Sequence, residues 1–184
     1  SFASDLRLNI AFIKKKFNIE MTSLVFPRNQ VKKEYLNILS KNNIKCYRGN
    51  ETNWIYSIRM GALLKRGFRL IDSYFNITGN NTYDLREIKK TLPYNIPSSC
   101  FLRPVKSNNS FFKRIKMRRI KRQMSHAAKN NKLFHLWWHP HNFGNDIDAN
   151  MLFLKEIFNH FLFLKKKYNM RSLNMKEISK KIEL

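Results

Sequence analysis

The chain has 184 residues, of which 43% are hydrophobic, and its 36 lysines and arginines outnumber 12 acidic residues, giving a formal net charge of +24 at pH 7. This length can bury a sizeable core, and 15 phenylalanines argue against a disordered chain. No apolar run approaches the roughly 18 residues of a membrane helix, and the opening "SFASDLRLNI" is unlike a signal peptide, so we expect a cytoplasmic protein without a transmembrane segment.

The positive charge has two interpretations. It can allow the protein to bind a nucleic acid or an anionic membrane. It can also reflect a composition rich in lysine, asparagine and isoleucine, in which most lysines are solvated. The excess is spread along the whole chain and is not confined to one arm. We therefore favour the compositional interpretation and do not expect a nucleic acid as the partner.

The first half of the chain alternates helical and extended patterns. In the first helix, Ser4 is the expected N-cap. Its inward face is predicted from the spacing of Leu6, Ile10, Ile13 and Phe17. The patterns that follow predict a strand at 22–26, a helix at 31–42, a strand at 44–48, and helices at 54–66 and 69–76 separated at Gly67.

The second half opens with a proline-rich loop, residues 92–105, in which only residues 100–103 are predicted as a strand. A basic helix is then predicted at 111–131, with an apolar stripe of Met117, Ile120, Met124 and Ala127. Because that stripe fits a helix packed on a sheet, we favour packing over phosphate binding for this helix. The last patterns predict a strand at 133–138, a helix at 148–168 with Met151, Leu154, Phe158 and Phe161 inward, and a helix at 176–182.

Strands that alternate with helices of ten or more residues are typical of βαβ units in a parallel sheet. The fold class is therefore α/β, with a sheet that is either open or closed into a barrel. In such folds the chemistry lies on the loops that follow the C-terminal ends of strands. The segments "FPRN" and "WWHPHNFG" follow two predicted strand ends.

The segment "FHLWWHPHNFG" holds three of the five histidines. On a strand, Trp137 and His139 point to the same side, and Pro140 should end the strand because proline cannot donate to the ladder. His139 then lies at the strand end, where it suits acid–base or oxyanion work, with His141 in the following loop. A structural histidine is the alternative. The His-x-His pair lacks the further ligand that a metal site needs, so we predict no metal there.

Other polar residues carry weaker signals. Arg28 follows Pro27 at a strand end and could orient a carboxylate or a substrate oxygen, although an exposed arginine is the ordinary alternative. Cys46 and Cys100 match no metal-ligand spacing and are expected to be free, buried thiols. His135 is expected to be a satisfied core group.

Seven segments resemble a polysaccharide deacetylase of the carbohydrate esterase type, related to the nodulation and chitin deacetylases. They occur in the family's order across nearly the whole chain: "SLVFPRNQV", "YRGNE", "RGFRLIDSYFNITGNNTY", "PSSCFLRPV", "RRIKRQMSHAAKNN", "FHLWWHPHNFGND" and "LNMKEIS". The resemblance implies a distorted (β/α) barrel that hydrolyses an N- or O-acetyl group from a sugar. In that family an aspartate and two histidines hold a divalent metal, usually zinc, and a second aspartate activates the metal-bound water.

The resemblance also implies roles for residues of this chain. His139 resembles the late histidine that protonates the leaving amine. Arg28 resembles the arginine that orients the catalytic base, with "PRNQ" in place of the usual Arg-x-Pro-aromatic form. Trp137 stands where a leucine normally lines the acetyl pocket, and His141 and Asn142 complete the substrate-binding set.

Two early motifs of the family, an Asp-Asp pair and a His-x-x-x-His metal pair, are absent before Thr22. The first helix resembles the one that follows the metal motif. We therefore expect residues 1–184 to be the C-terminal part of a single deacetylase-like domain, an incomplete barrel. The zinc of the complete enzyme, and hence the activity, are not expected in this chain alone.

The predicted function is metal-dependent deacetylation of an acetylated carbohydrate, with His139 as general acid and Arg28 as orienting group. Two alternatives stay open. The aromatic loop and the absent motifs favour a catalytically inactive carbohydrate-binding remnant. The charge and the basic helix favour a nucleic-acid-binding module.

Overall fold

The computed structural model describes residues 1–57, 61–88, 91–107 and 110–184, without the side chains of Arg28, Tyr56 and Ser57. The described residues form both helices and short parallel strands, so the general α/β class is confirmed. The chain forms two compact units. Unit 1 comprises Ser1–Asn50, Leu85–Ile96 and Leu173–Leu184, and unit 2 comprises Glu51–Asp84 and Pro97–Ser172.

The helices and strands follow one another along the chain in the order α1 (Phe2–Phe17), β1 (Ser23–Leu24), α2 (Lys33–Lys41), β2 (Cys46–Gly49), α3 (Trp54–Ser57), α4 (Ala62–Asp72), β3 (Tyr94–Pro97), β4 (Cys100–Phe101), α5 (Ser110–Lys129), β5 (Leu136–Trp137), α6 (Ile147–Tyr168) and α7 (Met175–Glu183). Short 3₁₀ turns follow β1 at Pro27–Asn29 and β5 at Pro140–Asn145.

The strands form two small sheets. The first has the order β1-β2-β3, and β1 runs parallel to β2 with Ser23 opposite Cys46. The second pairs β4 with β5, also in parallel. Strand β3 lies in the stretch that the sequence predicted to be a loop. That prediction was wrong because the prolines flank the strand: Pro93 precedes it and Pro97 is its last residue.

The core of unit 1 is formed by residues from α1, α2 and β2 and from the segments between them. Its buried members are Leu6, Phe26, Leu39, Ile44 and Tyr47. Phe17, predicted to face inward, is exposed, because α1 ends there and Asn18 adopts a left-handed conformation. The N-cap is Ser1 and not Ser4: the Ser4 N–H donates to Ser1 Oγ at 3.4 Å.

A capping box starts α7. The Glu177 N–H donates to Asn174 Oδ1 at 2.9 Å, and the Asn174 N–H donates to Glu177 Oε2 at 2.7 Å. We expect Asn174→Ala to lower the free energy of unfolding by about 1 kcal/mol, because it removes the acceptor for a helix N–H. Chemical denaturation measures this change. Lys176→Ala, an exposed substitution in the same helix, is the control, and an equal effect of both would contradict the capping role.

The core of unit 2 forms largely between α5 and α6. The predicted stripe of α5 is confirmed, since Met117, Ile120, Met124 and Ala127 are all buried. Helix α6 buries Phe153, Leu154, Ile157 and Leu164. Met151 and Phe158, predicted to face inward, are exposed. That prediction was wrong because α6 carries apolar residues on several faces, so their spacing did not identify the buried one.

Two further features of unit 2 position its loops and helices. Helix α4 continues through Gly67, predicted as a break; a single glycine costs a helix only about 1 kcal/mol. Asn150, on α6, holds the loop after β4: its amide accepts from the Val105 N–H at 2.8 Å and donates to the Val105 carbonyl at 3.1 Å. Among the described residues, no helix combines the length and apolar content required to cross a membrane.

Candidate functional site

Strands β4 and β5 hold neighbouring aromatic side chains at the end of the second sheet. Phe101 lies opposite Trp137, and their ring centroids are 4.5 Å apart. The alternation of side chains along an extended chain brings His139 to the same side as Trp137. The two rings meet edge to face at 5.3 Å, and the His139 and Phe101 rings are 5.8 Å apart.

The 3₁₀ turn after His139 adds His141 to this group. The imidazoles of His139 and His141 stack with centroids 5.2 Å apart, and both side chains are exposed. The Asn142 N–H donates to the His139 carbonyl at 3.0 Å, which closes the turn. The structure therefore brings together the site residues predicted from this segment. We call Phe101, Trp137, His139 and His141 the aromatic–imidazole cluster.

The geometry of the two imidazoles does not suit metal binding. Their ring planes are inclined by only 21°. Because nitrogen lone pairs lie in the ring plane, nearly parallel stacked rings do not direct them to one point about 2 Å from each. Within the part of the chain that the structure describes, no three His, Cys, Asp or Glu side chains form a group that could hold a metal ion.

A small polar pocket of about 50 Å³ adjoins the cluster and shares Phe101 and Trp137 with it. This volume suits a few water molecules or one small chemical group. The polar and charged residues that line it come from several segments of unit 2: Glu51, Asn53, Arg69, Asp72, Ser73, Ser99, Cys100, Arg103 and Arg119.

A buried ion pair forms part of this pocket. Arg119 Nη2 donates to Asp72 Oδ2 at 2.7 Å, and both side chains are less than 10% exposed. The other Asp72 oxygen accepts from the Thr78 N–H at 2.8 Å and from the Thr78 hydroxyl at 2.9 Å. Arg119 Nε has no hydrogen-bond partner among the described residues. The pair therefore fixes Asp72 firmly while leaving one buried guanidinium donor unsatisfied.

Glu51 supplies a second carboxyl group. Its Oε2 accepts from Asn53 Nδ2 at 2.9 Å and from Asn81 Nδ2 at 3.4 Å. Burial, together with the charge of Asp72, raises the pKa of Glu51 to about 7. Such a group exchanges a proton near neutral pH, a property often found at functional sites.

Cys100 lines the same pocket but does not suit nucleophilic chemistry. Burial raises the pKa of its thiol to about 12, so the reactive thiolate is scarce at neutral pH. Both Cys46 and Cys100 are free, as predicted; Cys46 is buried and Cys100 is half-buried. His135 is hydrogen-bonded, as predicted, with its Nδ1 3.2 Å from the Pro97 carbonyl oxygen, but it is half-buried and does not lie in the core.

Arg28 belongs to unit 1, in the 3₁₀ turn Pro27–Asn29. Its side chain lies outside the described part of the chain, so its orienting role stays a prediction. The turn itself is held by Arg48, which donates from Nη2 to Asn29 Oδ1 at 2.8 Å.

Sequence reasoning missed Glu51, Asp72 and Arg119 as site residues. Asp72 is the one acidic residue of α4, and Arg119 lies between Met117 and Ile120 of the apolar stripe of α5. These positions are the signals that could have identified the two residues. Comparison of the chain with models of known protein families, with curated proteins and with solved structures finds no match.

Proposed function

We propose that this chain carries the proton-donating side of a sugar deacetylase site, with His139 as the general acid and an acetylated carbohydrate as the substrate. One observation carries the proposal: an exposed imidazole contacts two aromatic rings that also line a small polar pocket. The same proposal includes the finer architecture, an incomplete distorted (β/α) barrel, of which the two parallel strand pairs would be parts.

The aromatic–imidazole cluster suits the binding of a sugar. Trp137 and Phe101 are half-buried, and their rings lie side by side with an angle of 45° between their planes. Aromatic rings offer an apolar body to the C–H groups of a sugar, while polar groups nearby meet its hydroxyls. His141 and Asn142 lie in the turn beside this surface and would contact the bound sugar.

The chemistry that His139 would supply is donation of one proton. When water has added to the acetyl carbonyl, the tetrahedral intermediate collapses and the C–N or C–O bond to the sugar breaks. The bonding electron pair goes to the sugar nitrogen or oxygen, which takes a proton from the imidazolium. The products are acetate and the free amino or hydroxyl sugar. Histidine is the residue that most often performs such a transfer.

The resemblance also implies a divalent metal that would polarise the acetyl carbonyl. The described residues offer no ligand set for it, and the proposed role of His139 does not depend on one. The pocket that contains Glu51 and Arg119 is large enough for an acetyl group, and its amide and guanidinium donors suit a carbonyl oxygen.

The test measures acetate release from N-acetylated chito-oligosaccharides and from O-acetylated xylo-oligosaccharides by the complete gene product. We expect His139→Gln to lower kcat by at least about a hundredfold with little change in KM, because the lost group acts in the transition state. His160→Gln, a change on α6 outside the site, is the control and should leave kcat within about twofold.

Two outcomes would reject the acid role. Equal acetate release by the wild type and His139→Gln would show that the imidazole donates no proton. In the second outcome, the wild type binds the oligosaccharide but releases no acetate, and Trp137→Ala abolishes the binding. This result would favour the carbohydrate-binding alternative.

A further inference from the structure

One face of α5 concentrates positive charge. Arg118, Arg122 and Lys129 are exposed and Lys121 is half-buried, at spacings that place them along one side of the helix. They span about 17 Å of helix length. The apolar stripe of the same helix is buried in the core of unit 2, so the helix both packs and presents cations to solvent.

This face forms the wall of a groove of about 530 Å³ in unit 2. Asn80, from the turn after α4, lines it together with Ser125, His126 and Asn130 of the helix. None of the described residues that line the groove is acidic. Lys121 has a carboxylate partner, Glu156, at 3.9 Å, but both side chains are more than a third exposed to solvent, so the pair contributes little stability. The groove therefore keeps a strong positive potential.

Hydrogen-bonding side chains of histidine and asparagine lie between the cations. The Thr82 hydroxyl is 2.9 Å from His126 Nδ1, which fixes the plane of the imidazole in the groove. The Asn130 side chain donates to the His126 carbonyl at 2.7 Å and is held at the end of the groove. A ligand in the groove would meet both charged donors and fixed polar groups along its length.

We infer that the groove on α5 binds an anionic glycan, a sugar chain bearing carboxylates. Arginine and lysine pair with carboxylates, while the asparagine, serine and histidine groups suit sugar hydroxyls. No Phe, Tyr or Trp lines the described groove, so it lacks the large stacking platform on which proteins hold single-stranded nucleic acids.

This site is separate from the proposed deacetylase site and does not rest on it. His139 follows the C-terminal end of β5, whereas none of the residues that line the groove belongs to the aromatic–imidazole cluster. Binding of an anionic glycan can therefore be present when acetate release is absent, and the reverse.

The test compares binding of polygalacturonate, a chain of carboxylated sugars, to the whole chain and to two variants that each lose three positive charges. The groove variant is Arg118→Gln with Arg122→Gln and Lys129→Gln. The control is Lys165→Gln with Lys166→Gln and Lys167→Gln, all exposed on α6. Circular dichroism checks that both variants keep the fold.

We expect the groove variant to bind polygalacturonate on the order of tenfold more weakly than the control variant, and the wild-type affinity to fall as salt is raised. Poly-L-glutamate and duplex DNA serve as non-sugar polyanions. No binding by the wild type, equal losses in the two variants, equal affinity for poly-L-glutamate, or a stronger groove-dependent affinity for DNA would each overturn the proposal.

Discussion

Asp72→Ala is expected to lower the free energy of unfolding by about 3–5 kcal/mol. Asp72 is 5% exposed and is the ion-pair partner of Arg119, which is 6% exposed. Removing the carboxylate leaves a buried guanidinium without its ion-pair partner, and Arg119 Nε has no described hydrogen-bond partner to compensate. The Thr78 N–H and hydroxyl lose their acceptor as well. Urea unfolding followed by circular dichroism measures the loss.

A double variant separates the charge effect from loss of packing. Asp72→Ala combined with Arg119→Met removes both charges, so most of the lost stability should return. Glu20→Ala is the control for an exposed pair, since Glu20 lies 3.9 Å from Lys14 in solvent; its effect should stay below about 1 kcal/mol. If Asp72→Ala loses no more stability than Glu20→Ala, or if the effects of the two substitutions add in the double variant, the buried pair is not coupled.

The sequence predicted best those elements whose local pattern and tertiary packing agree. In α5 a single apolar stripe lies between cations, so Met117, Ile120, Met124 and Ala127 could face only the core. In β5 the alternation of side chains and the proline at position 140 were sufficient to place Trp137 and His139 together. Such features depend on residues that are close in sequence.

The predictions failed where the local sequence is compatible with more than one secondary structure or with more than one buried face. Helix α6 has apolar residues on several faces, and only its packing against α5 selects Phe153 and Ile157 over Met151 and Phe158. Strand β3 depends on pairing within a sheet, which outweighs the loop preference of the prolines beside it. Gly67 was given too much weight, because a single glycine costs a helix only about 1 kcal/mol relative to alanine, and α4 continues through it to Asp72.

The polar pocket could not be predicted for a related reason. Glu51, Asp72 and Arg119 lie in three separate segments of the chain, and no sequence motif in these segments predicts that the three residues meet. Their properties arise from burial and from charges that are distant in sequence. The pKa of Glu51, for example, is raised by burial and by Asp72, 21 residues away in the chain.

Glu51→Gln is expected to stabilise the protein at alkaline pH. The pKa of this carboxyl is about 7 in the folded protein against an ordinary value of 4.5. A raised pKa in a carboxylic acid means that its contribution to stability is fully present below pH 4.5 and is lost as the pH rises through 7. The difference corresponds to about 3 kcal/mol once both states are ionised. Glutamine cannot ionise, and its amide oxygen can still accept from Asn53.

The measurement is the free energy of unfolding of the wild type and Glu51→Gln from pH 4 to pH 8. The two should have similar stability at pH 4, and the variant should become more stable by about 3 kcal/mol at pH 8. Glu20→Gln, at an exposed position, is the control and should follow the wild type at every pH. Parallel curves for the wild type and Glu51→Gln would mean that Glu51 ionises without penalty in the fold. Glu51 would then be a poor candidate for a group that exchanges protons beside the aromatic–imidazole cluster.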